Sequence, residues 1–319
     1  MSTETSTILD NLRSSARRDP KVVVFPESSD RRVVAAANQL AFQGWARVIV
    51  LDPPEGTFDP AIQFVWTSND ELRQRCADQL FENRRARGLT REGALEATSD
   101  PLIMAALLVR IGMADVAVAG SLATTASVIR AGLYGIGTPP GRSLVSSFFL
   151  MQLADGPCVA FADCAVVPDP TPAQLAEIAV TTAENYARLS GESPRVAMLS
   201  FSTRGSADHP RVAKVREATE LARKLAPQLS IDGELQFDAA FVPEIGKRKA
   251  PDSSVAGSAN VFIFPDLDSG NIGYKIAQRI GGATAIGPLV QGLRKPMMDL
   301  SRGCSIQDII NVTIVATRM

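Results

Sequence analysis

The residues best suited to chemistry lie close together near the C-terminal end of the sequence. Ser301, Arg302, Gly303, Cys304 and Asp308 bring a hydroxyl, a guanidinium, a flexible backbone, a thiol and a carboxylate into one turn. An apolar run with helical periodicity follows, so we predict a loop that feeds a helix. The exposed N–H groups and positive dipole end of a helix N-terminus favour an anion, phosphate in particular. We therefore predict an anion-binding turn here and expect the rest of the chain to build a cleft around it.

Two of these residues have a structural alternative. Asp308 stands three residues after Ser305 in an S-x-x-D pattern, which is typical of a helix cap and also compatible with a general base. The helix dipole stabilises a charged carboxylate, so Asp308 would be a weak base toward a thiol of pKa about 8.5. Cys304 is more typical of a partly buried, inert thiol than of a nucleophile.

Further strand-to-helix turns carry hydroxyl groups, glycine and arginine. A buried strand is predicted at 115–120, followed by Thr124 and Thr125 and then by a helical segment with Arg130. Such turns lie at one edge of an open parallel sheet, where ligands collect. Comparable turns are predicted near 202–206 and 268–275. Neither a GxGxxG nor a GxxxxGK[ST] motif is present, so the sequence does not support the ordinary dinucleotide and P-loop interpretations.

The elements that position these turns alternate between strand and helix patterns. Val22–Phe25 is a short, β-branched apolar run, and Ser29 or Asp30 is the predicted cap of the next helix. Arg47–Leu51 is the following strand, so this unit predicts a parallel sheet. The Pro/Gly-rich segment 138–141 is the predicted boundary between two α/β domains. Further strands are predicted at 144–151, 158–164, 195–201, 261–265 and 283–290, with a hairpin turn at 154–157.

Length and composition limit the classes of protein that fit. A chain of 319 residues exceeds one small core, and 45% apolar with 21% charged residues is ordinary for a globular protein. The formal net charge of -1 argues against a nucleic-acid or anionic-membrane binder. Four scattered cysteines and a single histidine, His209, argue against a zinc or multi-histidine metal centre. Because neither a signal peptide nor a membrane span is predicted, we expect a cytoplasmic protein.

Several long motifs make the chain resemble the phosphotransacetylases, the family of phosphate acetyl- and butyryltransferases. The resemblance covers nearly the whole chain and is closer to the acetyl-transferring members than to the butyryl-transferring ones. The strongest stretches are Asp163–Thr171 (DCAVVPDPT), Arg195–Ser206 (RVAMLSFSTRGS), Lys214–Thr219 (KVREAT), Asp232–Gln236 (DGELQ), Asn260–Leu267 (NVFIFPDL), Gly270–Lys275 (GNIGYK) and Asp299–Ser305 (DLSRGCS).

The resemblance implies two three-layer α/β domains like those of isocitrate and isopropylmalate dehydrogenases, with the active site in a cleft between them. The first domain would be discontinuous, residues 1–141 plus 288–319, and residues 142–287 would form the second, inserted domain. The family moves an acetyl group reversibly between coenzyme A and inorganic phosphate. It therefore implies coenzyme A, acetyl-CoA and phosphate as substrates, no permanently bound cofactor or metal, and a homodimer formed through the second domain.

The resemblance also implies a mechanism. The family's catalytic serine and arginine fall on Ser301 and Arg302, and its proposed general base falls on Asp308. Asp308 would take the thiol proton of coenzyme A, and the thiolate would attack acetyl phosphate directly in a ternary complex. Ser301 would stabilise the oxyanion, while Arg302 and Arg130 would hold the phosphate.

Further substrate-binding residues are expected around this centre. The family's other functional arginine falls on Arg84, although Arg85 and Arg87 fit the same dense basic cluster. Thr124, Thr125 and Tyr274 are predicted to line the substrate site. The sequence also departs from the family, which usually has His, Asp and Pro at the positions of Ala123, Ser127 and Ala131.

Three other functions are compatible with parts of this pattern. A longer acyl group, propionyl or butyryl, is the nearest alternative to acetyl. A non-catalytic binder of acetyl phosphate or coenzyme A is conceivable because of the departures at Ala123 and Ser127. A nicotinamide-dependent dehydrogenase would require acidic metal ligands and a cofactor motif, and the sequence shows neither.

Overall fold

The computed structural model describes residues 7–154 and 156–319. The described residues form two compact units. One contains the chain up to Gly141 together with Leu293–Met319, and the other is Arg142–Gly292. The predicted hairpin turn at 154–157 includes Asp155, which lies outside the described residues.

The described part of the chain contains eleven strands and twelve α-helices. The strands are β1 (Val22–Phe25), β2 (Arg47–Leu51), β3 (Gln63–Val65), β4 (Val116–Ala119), β5 (Ser146–Gln152), β6 (Cys158–Ala162), β7 (Arg195–Leu199), β8 (Ser230–Leu235), β9 (Val261–Ile263), β10 (Thr284–Gln291) and β11 (Met297–Asp299). The helices are α1 (Ile8–Arg18), α2 (Arg31–Phe42), α3 (Asp70–Arg84), α4 (Arg91–Ala97), α5 (Pro101–Arg110), α6 (Thr125–Gly135), α7 (Pro172–Ser190), α8 (Pro210–Leu225), α9 (Phe237–Phe241), α10 (Pro243–Lys249), α11 (Leu267–Arg279) and α12 (Ile306–Ala316).

The first unit is built on a five-stranded parallel sheet. Its strand order is β11-β4-β1-β2-β3, and every neighbouring pair is parallel. Apolar, β-branched strands such as β1 are buried, as parallel sheets require. Helices α3 to α6 pack around one core cluster, while α1, α2 and α12 pack with one another. The predicted strands Val22–Phe25 and Arg47–Leu51 are confirmed with the same bounds.

The second unit has a mixed sheet of six strands. The order is β10-β5-β6-β9-β7-β8, with β6, β9, β7 and β8 parallel. β5 runs antiparallel to both β6 and β10, which confirms the predicted hairpin pairing of β5 with β6. The predicted α/β class is therefore confirmed. Strands β3, β8 and β11 were not predicted as strands, because they are short or interrupted by charged residues and glycine.

The second unit extends beyond the domain boundary predicted at residue 288, because β10 continues past that residue. The strand continues to Gln291, whose buried amide donates to the hydroxyls of Ser146 at 3.0 Å and Thr182 at 2.8 Å. Asn185 donates to the same side chain at 3.0 Å. These partners belong to the second unit, so the chain enters the first unit only at Leu293.

Gly120, just after β4, is needed where two strand ends approach each other. Its φ is +100°, and an added Cβ would lie 2.6 Å from the Leu300 nitrogen and 2.7 Å from the Leu300 oxygen. The Leu300 N–H donates to the Ala119 oxygen at 2.7 Å, so the two backbones cannot separate without losing this bond. Only glycine satisfies both the positive φ and this contact.

We predict that Gly120→Ala lowers the free energy of unfolding by about 3 kcal/mol, since overpacking adds to backbone strain. Gly112→Ala is the matched control, because its φ is +81° but no atom lies within 4 Å of the added Cβ. Strain alone should cost the control about 1 kcal/mol. Urea unfolding followed by circular dichroism measures both variants, and equal losses would show that the approach to Leu300 is unimportant.

Candidate active site

Three turns meet at the carboxyl edge of the first unit's sheet. They follow β1, β4 and β11, which are parallel neighbours. The turn after β11 carries Ser301 and Arg302, and the turn after β4 leads to Thr124 and Thr125. The parallel topology thus brings the predicted anion-binding turn beside two others, at the edge where α/β proteins bind ligands.

A single guanidinium, that of Arg32, joins the three turns. Its Nε and Nη2 donate to the Asp30 carboxylate at 3.1 and 2.7 Å. Its Nη1 donates to the backbone oxygens of Arg302 at 2.9 Å and Cys304 at 2.8 Å, and Nη2 donates to the oxygen of Ser121 at 3.1 Å. Hydrogen bonds from Arg32 lower the pKa of Asp30 despite its burial. The backbone of the turn after β11 is therefore held by a charge-compensated arginine.

The first donors of the turn after β4 bind a carboxylate of the chain itself, that of the buried Glu27. Glu27 accepts the backbone N–H groups of Ser121 at 2.8 Å, Leu122 at 3.1 Å and Ala123 at 2.7 Å, as well as the Ser121 hydroxyl at 3.0 Å. The geometry is that of an anion-binding turn in which the anion is the protein's own.

Asp299 ends β11 and has far fewer hydrogen-bonding partners. It is 2% exposed, and its Oδ1 has no hydrogen-bond partner among the described residues. Burial raises the pKa of Asp299 to about 6; hydrogen bonding by Thr125 opposes this rise and the charge of Glu27 adds to it. Asp299 is therefore a carboxyl group that titrates much closer to neutrality than an exposed aspartate.

The side chains of Ser301 and Arg302 are exposed on the turn. The Ser301 hydroxyl accepts the Gly303 N–H at 3.2 Å, and the Ser301 backbone oxygen accepts the Cys304 N–H at 2.9 Å. In the part of the chain that the structure describes, no carboxylate pairs with the Arg302 guanidinium. Cys304 is buried, and burial raises the pKa of its thiol, which agrees with the inert role expected from the sequence.

Asp308 is the third residue of α12 and forms the capping box that its spacing predicts. Its Oδ2 accepts the N–H of Ser305 at 2.9 Å and the Ser305 hydroxyl at 2.8 Å, and its own N–H donates to that hydroxyl at 3.1 Å. Its Oδ1 has no donor among residues 7–154 and 156–319. One carboxylate oxygen thus serves the cap while the other is left available to a ligand.

Arg84 and Arg130 line one pocket of about 370 Å³ beside α6. The Arg84 Nε donates to the Tyr134 oxygen at 2.9 Å and its Nη2 to the Leu133 oxygen at 2.7 Å, which caps the end of α6. Its guanidinium also lies 4.3 Å from the centroid of the Tyr134 ring, and burial lowers its pKa. Arg130 is exposed and pairs with no described residue. The remaining lining residues are Ala126, Ile129, Leu133 and Tyr134.

The other arginines of the basic cluster lie outside this pocket. Arg85 lies 3.4 Å from the Glu82 carboxylate, and Arg87 is exposed. Because only Arg84 lines the pocket together with Arg130, the geometry favours Arg84 among the three alternatives.

The remaining predicted residues lie in different places. Thr124 caps α6 by accepting the Ser127 N–H at 3.2 Å, and Thr125 is the exposed first residue of that helix. Tyr274 belongs to the second unit, where its ring stacks on Phe149 with centroids 4.1 Å apart. Burial raises the pKa of Tyr274. Its observed contacts are those of a partly buried core residue.

Sequence reasoning missed Glu27, Arg32 and Asp299. All three belong to turns or strand ends at the same sheet edge as Arg302. The signal was present in the segment PESSDRR after β1, which has acidic and basic residues in a strand-to-helix turn. This turn also lies at the carboxyl edge of parallel strands, where α/β proteins bind ligands.

Two kinds of feature are absent from the described residues. No group of three or more His, Cys, Asp or Glu side chains there is placed to hold a metal ion. No helix of residues 7–154 and 156–319 is long and apolar enough to cross a bilayer.

Together, the two α/β units and the cationic turn at a parallel sheet edge define an α/β protein with a candidate site at that edge. The chain matches the family model "Phosphate acetyl/butaryl transferase" over residues 7–317. It is 48% identical over 317 residues to a phosphate acetyltransferase from Paracoccus denitrificans, which covers 96% of this chain and 97% of that protein.

Solved structures show the same similarity. One is the EutD phosphotransacetylase from Staphylococcus aureus, with 39% identity, a TM-score of 0.89 and coverage of 98% of both chains. Another is a phosphotransacetylase from Streptococcus pyogenes, with 43% identity and a TM-score of 0.87, covering 100% of this chain and 98% of the other. The chain belongs to the phosphate acetyl/butaryl transferase family, a family of acyltransferases.

We predict that Arg32→Lys lowers the free energy of unfolding by about 2 kcal/mol, because an ammonium cannot replace the planar, multiple donation of a guanidinium. Arg31→Lys, at the exposed neighbouring position, is the control and should change stability by less than about 0.5 kcal/mol. Urea unfolding measures both. Similar stability of the two variants would mean that Arg32 does not hold the three turns together.

Proposed function

We propose that this protein catalyses reversible acetyl transfer between coenzyme A and inorganic phosphate. Family membership and the names of its relatives support this reaction. The observation that carries the proposal is the Ser301–Arg302 turn, whose backbone Arg32 holds while its guanidinium lacks a carboxylate partner among the described residues. An arginine held in this way is suited to a phosphate, which can accept two parallel hydrogen bonds.

The reaction begins with loss of the coenzyme A thiol proton. The thiolate attacks the carbonyl carbon of acetyl phosphate, and the Ser301 hydroxyl donates to the developing oxyanion. A preorganised donor of this kind typically contributes about 3 to 4 kcal/mol to transition-state stabilisation. Arg302 binds the phosphate and neutralises the charge that it carries away.

Asp308 is the proposed acceptor of the thiol proton. The role does not require the helix cap to break, because Ser305 bonds only Oδ2. Oδ1 is free to receive the proton. The transfer depends on the thiol being held within hydrogen-bonding distance of this oxygen.

Arg84 and Arg130 are proposed to bind coenzyme A rather than the transferred phosphate. Their shared pocket has apolar walls and two guanidinium groups, which suits a ligand with both a ring system and phosphates. This differs from the sequence expectation that Arg130 works beside Arg302. Arg84 contributes the donors that the end of α6 does not use.

A homodimer formed through the second unit and a cytoplasmic location are further parts of the proposal. An apolar stripe on α11 and its C-terminal cap supports the dimer, since Ile272, Ile276 and the cap residue Ile280 are 56%, 53% and 83% exposed. Sedimentation equilibrium decides the oligomeric state.

The direct test is acetyl-CoA formation from acetyl phosphate and coenzyme A, followed by thioester absorbance. We expect turnover that Arg302→Gln reduces at least about 100-fold, because the phosphate loses its charge-assisted donors, while Arg31→Gln retains it. Comparing acetyl-, propionyl- and butyryl-CoA in the reverse direction tests the acyl chain. Ligand binding without turnover in the wild type would favour a non-catalytic binder.

Two variants separate the roles of Asp308. We expect Asp308→Asn to lower turnover at least about 100-fold with little change in substrate binding, because its amide oxygen preserves the cap but cannot act as a base. Ser305→Ala removes the cap and should cost about 1 kcal/mol of stability while turnover changes far less. Stopped-flow turnover and thermal melts measure the pair. Near-normal turnover of Asp308→Asn would retire the base assignment.

A further inference from the structure

The proposed reaction has a second proton requirement that Ser301, Arg302 and Asp308 do not meet. As the carbon–sulfur bond forms, the bond between the carbonyl carbon and the phosphate oxygen breaks. Unless the departing oxygen receives a proton, phosphate leaves as a strongly basic trianion. Asp308 cannot provide this proton in its assigned role, because it must be ionised to accept one from the thiol.

A protonatable group lies directly behind the catalytic turn. Asp299 stands two residues before Ser301 and is 2% exposed, with no hydrogen-bond partner for Oδ1 among the described residues. A buried carboxylate without donors is costly, whereas the neutral acid is not. Glycine at position 120 leaves the space that this carboxyl occupies, because a Cβ there would collide with Asp299.

Thr125 connects this buried group to the surface of the site. It is the exposed first residue of α6, a helix that packs against β11, and hydrogen bonding from its side chain lowers the pKa of the Asp299 carboxyl. A threonine hydroxyl both donates and accepts, so it can pass a proton between an inaccessible carboxyl and a bound ligand. Such contacts commonly shorten when substrate binds.

We propose that Asp299 and Thr125 form a proton relay that protonates the departing phosphate, an inference that rests on the proposed acetyl transfer. As the carbon–oxygen bond breaks, the Thr125 hydroxyl proton moves to the departing oxygen and the Asp299 proton moves to the Thr125 oxygen. Phosphate leaves as the hydrogen phosphate dianion. Asp299 remains as a carboxylate that solvent reprotonates, and Asp308 releases the thiol proton. In the reverse direction the protons move the opposite way, and Asp299 accepts the proton of the attacking phosphate through Thr125.

The charges around Asp299 agree with a proton donor. Burial raises its pKa to about 6, and Glu27, from the turn after β1, raises it further, whereas Thr125 on α6 is uncharged and opposes the rise by hydrogen bonding. The negative charge of bound acetyl phosphate acts in the same direction as Glu27. The protonated fraction, and with it the forward reaction, therefore declines as pH rises above the pKa of Asp299.

Three variants test the relay. Thr125→Val keeps the shape of the side chain but removes the hydroxyl, Thr125→Ser keeps the hydroxyl, and Asp299→Asn keeps the shape but cannot release a proton. The measured quantity is kcat/KM for acetyl-CoA formation across the pH range in which all four proteins are folded by circular dichroism. Acetyl phosphate is compared with methyl acetyl phosphate, whose leaving group departs as a dianion without a proton.

The relay predicts that the variants lose kcat/KM to an extent that depends on the pH and on the leaving group. With acetyl phosphate near pH 6, Thr125→Val and Asp299→Asn should be about 100-fold slower than the wild type, while Thr125→Ser stays within about threefold. The ratio of the wild-type kcat/KM to that of these two variants should fall about tenfold per pH unit above the pKa of Asp299, because the wild type loses its proton donor there. With methyl acetyl phosphate the kcat/KM of the variants should approach that of the wild type.

Other outcomes overturn the relay in distinguishable ways. An equal loss of kcat/KM at every pH, or with both acetyl phosphate and methyl acetyl phosphate, would show that the residues act only on structure. Wild-type rates in Thr125→Val and Asp299→Asn would remove the relay but leave acetyl transfer intact. If the wild type rejects the methyl ester, the pH profile decides alone. A wild type that forms no acetyl-CoA would overturn the proposed function, and the relay with it.

Discussion

The ion pair between Arg32 and Asp30 determines how the carboxyl edge of the first unit's sheet is organised. Backbone oxygens near the ends of parallel strands have lost their ladder partners and need donors. Arg32 supplies them to turns as far as 272 residues away in sequence, and Asp30 compensates the charge that this requires. Since the guanidinium binds the backbone of Arg302 and Cys304, the Arg302 side chain remains available. The atoms that hold the turn in place are thus backbone atoms, and they differ from the guanidinium atoms of Arg302.

Two carboxyl groups behind this turn differ because their surroundings differ. Glu27 accepts four hydrogen bonds from one turn, whereas Asp299 has no partner at Oδ1 among the described residues and lies where burial raises its pKa to about 6. A raised pKa allows a carboxyl group to act as an acid near neutrality. The proposed division of roles therefore gives the acid to the buried Asp299 and the base to Asp308, which lies at a helix N-terminus.

Helix α6 connects the turn and the arginine pocket as one rigid element. Thr125 begins the helix, and Arg130 follows after five residues, which corresponds to about 7 to 8 Å along the helix axis. Arg84 holds the far end of the same helix by its carbonyl oxygens. The spacing between the proposed relay residue Thr125 and the proposed coenzyme A pocket at Arg130 is therefore set by helix geometry.

The sequence by itself determined the local structure, because the relevant information is carried by neighbouring residues. Apolar runs predicted β1 and β2 with their bounds. Cap chemistry predicted Ser29 or Asp30 before α2, where Asp30 is the cap, and the Ser305–Asp308 box before α12. The motifs also indicated the family. They did not predict the strand β11, since three residues give no periodicity.

Only the tertiary structure decided which distant groups meet. It placed the Glu27 carboxylate against the turn after β4, with a separation of 94 residues between Glu27 and Ser121. It also placed Arg130 beside Arg84 and left Asp299 without a partner at Oδ1 among the described residues. Sequence spacing encodes the geometry of one element, but a hydrogen bond or a buried charge depends on which strands become neighbours, and that is set by the packing of the whole sheet.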